Sequence, residues 1–272
     1  MKKFLNLACG DYFIDSKNWV NCDFAPQSKY VKQIDLQKNF PFETSSFDLV
    51  YCSHYIEHIN LNLVSNFINE CFKVLKNNGI IRIVLPDFEN IAREYVRNID
   101  SNHMQFASFN IAEMIDQCVR RVSGGNLQEW YDKSRNDRVL REYIYSRTGF
   151  KFKEKQNFKR RTIIRLKRIT LKKLILKIQF RLSFIVIRFL PGWFKKNHVT
   201  RVSTGEQHLW VHDFNSVKNI LEQIGFSEVK KVSAHYSQEI DFPLYPLDLN
   251  SEYHARKGEE SMYIEARKTR HY

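Results

Sequence analysis

The chain has 272 residues, of which 43% are hydrophobic and 14% aromatic, so it can bury a sizeable core and is not globally disordered. Only nine glycines and six prolines are present, which excludes a fibrous or linker-dominated protein. The formal net charge of +13 points to an anionic partner, such as nucleic acid, an acidic membrane surface or a phosphorylated substrate.

The first ninety residues alternate between strand and helix patterns. Short apolar runs predict five strands, at 3–8, 19–23, 30–35, 47–52 and 79–85. Residues 61–75 have helical spacing, and the sequence Asn77-Asn78-Gly79 predicts the end of that helix. Apolar strands that are joined by crossovers are typical of a parallel sheet with both faces covered.

The remainder of the chain predicts further helices and two more strands. Helical patterns occur near 88–97 and 104–120, and a third at 213–225 begins at Asp213 as a plausible N-cap. Strand patterns follow at 228–234 and 261–266. We therefore expect a core made of residues 1–90 and 205–272, with a long, largely helical insertion at 91–204 after the fifth strand.

The positive charge is concentrated in that insertion. Residues 151–200 contain sixteen Lys or Arg and one acid, so they carry +15 and the rest of the chain sums to −2. If 163–190 is helical, apolar side chains such as Leu182 and Phe189 share one side, opposite the basic ones. Residues 158–196, here named the basic segment, thus fit an anionic membrane surface. Packing of its apolar side on the domain, or nucleic-acid binding, are the alternatives.

The cysteines and the apolar stretches bear on metal binding and location. The five cysteines show no CxxC pair and no ligand spacing with histidine, so we expect no metal. No signal-peptide pattern is present, and three basic residues interrupt the most apolar stretch, 174–190. We therefore expect a cytoplasmic protein without a transmembrane helix, with the basic segment peripheral on the inner face of the membrane.

A nucleotide-binding arrangement is predicted at the first two strands. The first strand runs into a turn at Gly10, and the second ends in an acid, Asp23. Such a turn lets backbone approach a ligand, and the carboxylate can accept hydrogen bonds from ribose hydroxyls. The distance from Gly10 to Trp19 leaves little room for a helix that would present its N-terminus to a pyrophosphate. A ligand with ribose but no phosphate therefore fits better.

These patterns, in their order and spacing, resemble a known family. The matching stretches include Leu5-Asn6-Leu7-Ala8-Cys9-Gly10, Ser53-His54-Tyr55-Ile56-Glu57-His58 and residues 20–24, 34–36, 40–42, 46–50, 74–79, 86–87, 208–214, 225–226 and 261–266. The sequence resembles the class I S-adenosylmethionine (SAM)-dependent methyltransferases, and more narrowly the small methyltransferases encoded with bacterial surface-polysaccharide genes. The resemblance implies a Rossmann-like α/β fold with a seven-stranded, mostly parallel sheet.

The resemblance also implies the cofactor, SAM, and the residues that bind it. Residues 6–10 would surround its methionine moiety, Asp23 would bind the ribose diol, and Asp35 and Leu36 would meet the adenine. Ser53 lies just past the fourth strand, where doubly wound sheets bind ligands. The cofactor-binding residues are thus expected to be Asn6, Ala8, Gly10, Asp23, Asp35, Leu36, Ser53 and His54.

Three polar residues after the fourth strand are the candidate catalytic residues. His54, Glu57 and His58 would share one face if their segment is helical. A hydroxyl acceptor must lose a proton, and histidine is the natural base near neutral pH. The alternative is that the three only shape the SAM site. His208 and His212, with Trp210, are candidates for the acceptor site, although core or capping roles fit the two histidines equally well.

We therefore expect an enzyme, a SAM-dependent methyltransferase. Its acceptor would be a hydroxyl of a glycan, or of a nucleotide- or lipid-linked glycan precursor, in surface-polysaccharide biosynthesis. The alternatives are an RNA methyltransferase that holds phosphates with the basic segment, and a non-catalytic protein of the same fold recruited to a membrane assembly. Nucleic acid is the less favoured partner, because the charge outside the basic segment is near neutral.

Overall fold

The computed structural model describes residues 1–151, 182–183, 185–203 and 205–269. The chain divides into two compact units, one made of residues 1–150 and 203–272 and the other of residues 151–202. Within the described ranges, no helix is both long enough and apolar enough to cross a bilayer. Most of the helix predicted at 163–190 lies outside the described residues.

The first unit is built on one seven-stranded sheet, as predicted. The strands are β1 (Phe4–Leu7), β2 (Trp19–Asp23), β3 (Val31–Gln33), β4 (Phe47–Ser53), β5 (Leu75–Pro86), β6 (Phe226–Val232) and β7 (Ser261–Lys268). Their order across the sheet is β3-β2-β1-β4-β5-β7-β6, and β7 runs antiparallel to both of its neighbours. The chain moves outward from β1 to β3 and then returns to place β4 on the other side of β1. This reversal opens a crevice at the carboxyl ends of β1 and β4.

Helices and loops of the first unit cover both faces of the sheet. The helices are α1 (Leu61–Val74), α2 (Phe88–Asp100), α3 (Met104–Val119), α4 (Gly125–Ser134), α5 (Arg138–Thr148), α6 (Gly192–His198), α7 (Phe214–Ile224) and the one-turn α8 (Leu244–Leu247). Of these, α6 belongs to the second unit. One apolar cluster packs α1 and α7 on the sheet, with Phe67 and Leu221 at its centre. A second cluster on the opposite face includes Phe242 and Leu247. The central strands β1, β4 and β5 are therefore buried on both sides over most of their length, which explains their continuous apolar runs.

The helical character predicted after the fifth strand is confirmed for residues 88–148. Helices α3, α4 and α5 share a separate apolar cluster that includes Phe109, Leu140 and Ile144. These helices belong to the same compact unit as the sheet, whereas residues 151–202 form the other unit. The division at 150 therefore falls well inside the stretch that the sequence suggested as a single insertion.

One predicted helix end is wrong. Helix α1 ends at Val74, before the sequence Asn77-Asn78-Gly79, because β5 begins at once and Leu75 already pairs with Phe47 of β4. The register of the β4–β5 pairing then shifts, and Asn78 takes a φ of +64° within this irregularity. The turn residues thus serve a bulge in the sheet rather than a helix cap.

A buried ion cluster links the second half of the chain to the sheet. The Arg82 guanidinium on β5 lies 2.7 Å from carboxylate oxygens of both Asp248 and Glu265, and all three side chains are fully buried. The Tyr51 hydroxyl donates to Asp248 at 2.8 Å. Because each charge is paired, removal of one partner leaves an uncompensated charge in the interior.

We expect Arg82→Ala to lower the free energy of unfolding by about 3–5 kcal/mol, because two buried carboxylates lose their counter-charge. The matched control is Arg93→Ala, whose exposed ion pair with Glu89 on α2 spans 2.8 Å and should contribute less than about 1 kcal/mol. Urea unfolding followed by circular dichroism measures both values. Equal losses in the two variants would contradict the expectation.

Candidate functional site

A cavity of about 330 Å³ opens at the carboxyl ends of β1 and β4. Seven of the candidate residues from the sequence line it, together with one residue of α3 and residues of two loops far along the chain. The lining consists of Asn6, Ala8, Cys9, Gly10, Asp11, Tyr12, Tyr51, Ser53, His54, His58, Gln117, Gly205, His208, Arg256 and Lys257. Doubly wound sheets bind ligands in the crevice where the strand order reverses, and this cavity lies at that position.

The turn after β1 is held in place by polar side chains. Gly10 has a φ of +53°, in the left-handed region that glycine adopts readily. A Cβ there would meet none of the described atoms within 4 Å, so glycine serves the backbone conformation and not a tight contact. Beneath the turn, the fully buried Asn6 donates to the Tyr12 carbonyl at 3.1 Å. The turn is thus preformed beside the cavity.

Asp23 lies at the end of β2 beside this turn, and its two oxygens are already hydrogen-bonded. Oδ2 accepts from the Gly10 amide and Oδ1 from the Ala25 amide, each at 2.9 Å. A carboxylate has about four acceptor sites, so each oxygen retains one for a ribose hydroxyl. The carboxylate is half-buried and remains reachable. These features fit the ribose role predicted for Asp23.

Asp35 and Leu36 do not line the main cavity. Leu36 borders a separate cavity of about 210 Å³ together with side chains of α1 such as Phe67 and Glu70. The Asp35 carboxylate accepts from the Gln37 amide at 3.2 Å and lies 3.3 Å from the Lys38 ammonium. The adenine contacts expected from the resemblance therefore remain a prediction.

His54 and Glu57 meet, but not on one helix face as the sequence suggested. His54 has a left-handed backbone, with a φ of +52°, and only Ile56–His58 forms a helical turn, of the 3₁₀ type. His54 Nδ1 nevertheless lies 3.1 Å from Glu57 Oε1, and Nε2 lies 3.1 Å from the Ser261 hydroxyl. The contact arises because the chain reverses direction at His54, which sequence periodicity does not reveal.

Burial controls the protonation of this pair. Glu57 is 1% exposed, and burial raises the pKa of its carboxyl to about 7. Burial, followed by the charge of Lys257, holds the pKa of His54 well below its usual range. His54 is therefore neutral at pH 7, so one of its two ring nitrogens carries a lone pair that can accept a proton.

A second pair of histidines lies at the same wall of the cavity. The rings of His58 and His208 are 4.8 Å apart in an edge-on arrangement. His58 Nδ1 lies 2.8 Å from the Gln207 carbonyl, and His208 Nε2 lies 2.8 Å from the Gln117 amide nitrogen. Burial lowers the pKa of both histidines, to about 3 for His208. By contrast, His212 is buried, Trp210 is exposed, and neither lines the cavity.

Sequence reasoning did not identify two cationic residues of the site, Arg256 and Lys257. Arg256 stacks over the Tyr12 ring at 3.9 Å and donates to the Leu247 carbonyl at 2.7 Å. Burial lowers the pKa of Lys257 to about 8. Both residues lie in the polar loop before β7, whose sequence carries turn residues but no motif for a binding site.

A glycine fixes the loop that carries these two cations. Gly258 has a φ of +67°, and a Cβ there would collide with the Arg147 carbonyl at the end of α5. Gly205 offers a matched comparison, since its φ is +82° but a Cβ would meet none of the described atoms within 4 Å. Both positions thus have a left-handed φ that a residue with a side chain adopts only with strain, and of the two only Gly258 would also suffer a clash.

We expect Gly258→Ala to destabilise the protein by about 1–3 kcal/mol more than Gly205→Ala, because only the first substitution forces atoms together. The free energies of unfolding in urea provide the comparison. An equal loss at the two positions would show that the backbone conformation alone accounts for the effect.

Comparison with known proteins agrees with the enzyme class. Residues 14–83 match a family described as a methyltransferase domain. No curated protein sequence is significantly similar to this chain.

Solved structures give more remote matches. A SAM-dependent methyltransferase from Archaeoglobus fulgidus is 12% identical to this chain with a TM-score of 0.38. The match covers 98% of this chain and 86% of the Archaeoglobus chain. One from Mesorhizobium loti is 16% identical with a TM-score of 0.28, over 33% and 49% of the two chains. The CurJ carbon methyltransferase is 8% identical with a TM-score of 0.39, over 99% and 49%. The match therefore spans about half the length of the last two chains.

The strand order tests the predicted fold, and the family match covers part of the same sheet. The sheet is seven-stranded with β7 alone antiparallel, and the matched residues 14–83 run from the loop after β1 into β5. The predicted Rossmann-like fold with a seven-stranded, mostly parallel sheet is confirmed.

Proposed function

We propose that this chain transfers the methyl group of SAM to a hydroxyl of a glycan, or of a nucleotide- or lipid-linked glycan precursor. The observation that carries the proposal is the position of His54, whose Nδ1 lies 3.1 Å from Glu57 Oε1, in a cavity at the carboxyl ends of β1 and β4. A hydroxyl acceptor needs a base at this point, and positioning supplies much of the remaining rate enhancement.

Residues of the cavity, and Asp23 beside its Gly10 turn, would divide the work of such a transfer. When bound, SAM would supply a methyl group on a positively charged sulfur. Asp23 and the turn at Gly10 would hold the ribose and the methionine end. His54 Nε2 would take the hydroxyl proton as the acceptor oxygen forms its bond to the methyl carbon and the carbon–sulfur bond breaks. The Ser261 hydroxyl, 3.1 Å from Nε2, marks a position from which an oxygen reaches this nitrogen.

The lining of the cavity supports a polar, phosphate-bearing acceptor. Hydrogen-bonding groups such as Ser53 and Gln117 suit a sugar, and Arg256 with Lys257 suits the phosphate of a linked precursor. The resemblance to methyltransferases encoded with surface-polysaccharide genes supports the same acceptor class. The proposal for the acceptor rests on this chemistry together with that resemblance.

Calorimetry with SAM, followed by assay of methyl transfer to glycans and linked precursors, tests the proposal. We expect saturable SAM binding and transfer to a hydroxyl-bearing acceptor. Absence of SAM binding at high protein concentration would contradict both possible functions, the glycan methyltransferase and the RNA methyltransferase. Transfer to RNA but not to glycans would favour the latter.

We also propose that the basic segment, residues 158–196, binds an anionic membrane surface. In its described part, Ile185, Phe189 and Trp193 expose more than half of their side chains, and these apolar groups accompany basic residues such as Arg188. Each basic residue near an anionic surface contributes about 1 kcal/mol of attraction. Co-sedimentation with anionic vesicles should therefore decrease when 158–196 is deleted, and equal pelleting of both forms would refute the proposal.

A further inference from the structure

Three side chains of metal-binding type converge at the wall of the cavity. One ligand atom from each of Glu57, His58 and His208 lies within 4.8 Å of the others. His58 Nε2 lies 4.0 Å from Glu57 Oε1. Around a tetrahedral zinc ion, ligand atoms are separated by roughly 3.4 Å, given metal–ligand distances of about 2.1 Å. Small side-chain rotations would therefore bring the three atoms to coordinating distances.

The His58 ring is already in the tautomer that binds a metal. Its Nδ1 lies 2.8 Å from the Gln207 carbonyl, which can only accept a hydrogen bond. The proton must therefore be on Nδ1, and Nε2, which faces Glu57, carries the lone pair. A backbone carbonyl that orients the distal nitrogen of a histidine is the usual second-shell arrangement at metal sites.

The Glu57 carboxylate lacks the hydrogen bonds that its burial requires. It is 1% exposed, and neither oxygen has a well-aligned hydrogen bond from any of the described residues. His54 Nδ1 approaches Oε1 at 3.1 Å, so this oxygen has one neighbour while its other lone pair is unused. A buried carboxylate with spare acceptor capacity is costly unless a proton or a cation satisfies it.

His208 can provide the third ligand atom. The Gln117 side-chain amide contacts its Nε2 at 2.8 Å. If this amide turns by 180°, its carbonyl oxygen accepts the Nε2 proton and His208 Nδ1 becomes free to coordinate. Gln117 would then orient His208 as the Gln207 carbonyl orients His58.

We propose that Glu57, His58 and His208 bind one divalent transition-metal ion at the wall of the cavity. Two imidazoles and one carboxylate suit Zn²⁺, Co²⁺ and related ions better than Mg²⁺ or Ca²⁺, which prefer oxygen ligands. The neighbouring cations Arg256 and Lys257 also disfavour ions that are held mainly by charge. His58 and His208 line the cavity, so the remaining coordination position would face a bound ligand. Residue spacing did not indicate a metal site here, because His208 lies far along the chain from Glu57.

Co²⁺ binding, followed by visible absorption of the full chain without a histidine tag, tests this proposal independently of methyl transfer. We expect one Co²⁺ per chain with an absorption band typical of imidazole ligation, and its displacement by Zn²⁺ but not by Mg²⁺. Glu57→Gln, His58→Ala and His208→Ala should each weaken Co²⁺ binding by at least about 100-fold. His235→Ala, which removes an exposed histidine outside the cavity, should have no effect.

Two results would overturn the proposal. One is a wild-type chain that shows no Co²⁺ band at saturating metal, which does not depend on how any variant folds. The other is a set of folded variants, judged by circular dichroism, that bind Co²⁺ as the wild type does. Neither result bears on SAM binding, which calorimetry measures separately, so a failure of this site is distinguishable from a failure of the proposed methyl transfer.

Discussion

His54→Gln is expected to lower kcat for methyl transfer to a hydroxyl acceptor by about 10²- to 10⁴-fold, the usual contribution of a general base. The reason is that the Nε2 lone pair is lost, while a glutamine side chain still occupies the left-handed turn after β4. On the proposed arrangement SAM would be held chiefly by the Gly10 turn and Asp23, so SAM affinity should change little. Single-turnover rates with saturating SAM, beside calorimetric SAM titrations, separate the two effects.

Lys257→Met is the control that identifies the base. Its amine lies in the same cavity, and because burial lowers its pKa to about 8, a fraction is unprotonated near neutral pH. If His54 is the base, Lys257→Met should change acceptor KM more than kcat, since a positive charge near the acceptor is lost. A loss of kcat confined to Lys257→Met, with His54→Gln close to wild type, would assign the proton transfer to the lysine instead.

The centre of the sheet could be predicted from the sequence because β1, β4 and β5 are buried on both faces over most of their length. Runs such as residues 47–52 have no polar alternation to confuse with a surface strand, and they recur at crossover spacing. The end of α1 was not predictable in this way. The sequence Asn77-Asn78-Gly79 is a correct turn signal, but pairing of Leu75 with Phe47 places that turn inside the sheet.

The site was only partly predictable, for a related reason. Residues next to strand ends, such as Gly10 and His54, follow from the chain order of a doubly wound sheet. Arg256 and Lys257 reach the cavity from a loop about two hundred residues later, positioned by the close approach of Gly258 to α5. Such contacts depend on tertiary packing, and neither periodicity nor residue spacing encodes them.

Asp23→Ala is expected to weaken SAM binding by about 10- to 100-fold, since hydrogen bonds to a charged group contribute about 1.5–3 kcal/mol. Two losses combine in this variant. The ribose would lose its acceptor, and the Gly10 amide would lose the oxygen that it contacts at 2.9 Å. Isothermal titration calorimetry of wild type and variant measures the change in Kd.

Two further acids make this measurement decisive. Asp15→Ala removes an exposed carboxylate from the loop that joins β1 to β2, outside the cavity, and should leave the Kd for SAM unchanged. Asp35→Ala tests the predicted adenine contact. If Asp23→Ala and Asp35→Ala both weaken SAM binding, the cofactor would extend from the Gly10 turn toward the cavity that Leu36 borders. The opposite outcome is that Asp23→Ala binds SAM as the wild type does while Asp35→Ala does not. In that case the cofactor cannot lie along the Gly10 turn, and the 330 Å³ cavity would bind only the acceptor.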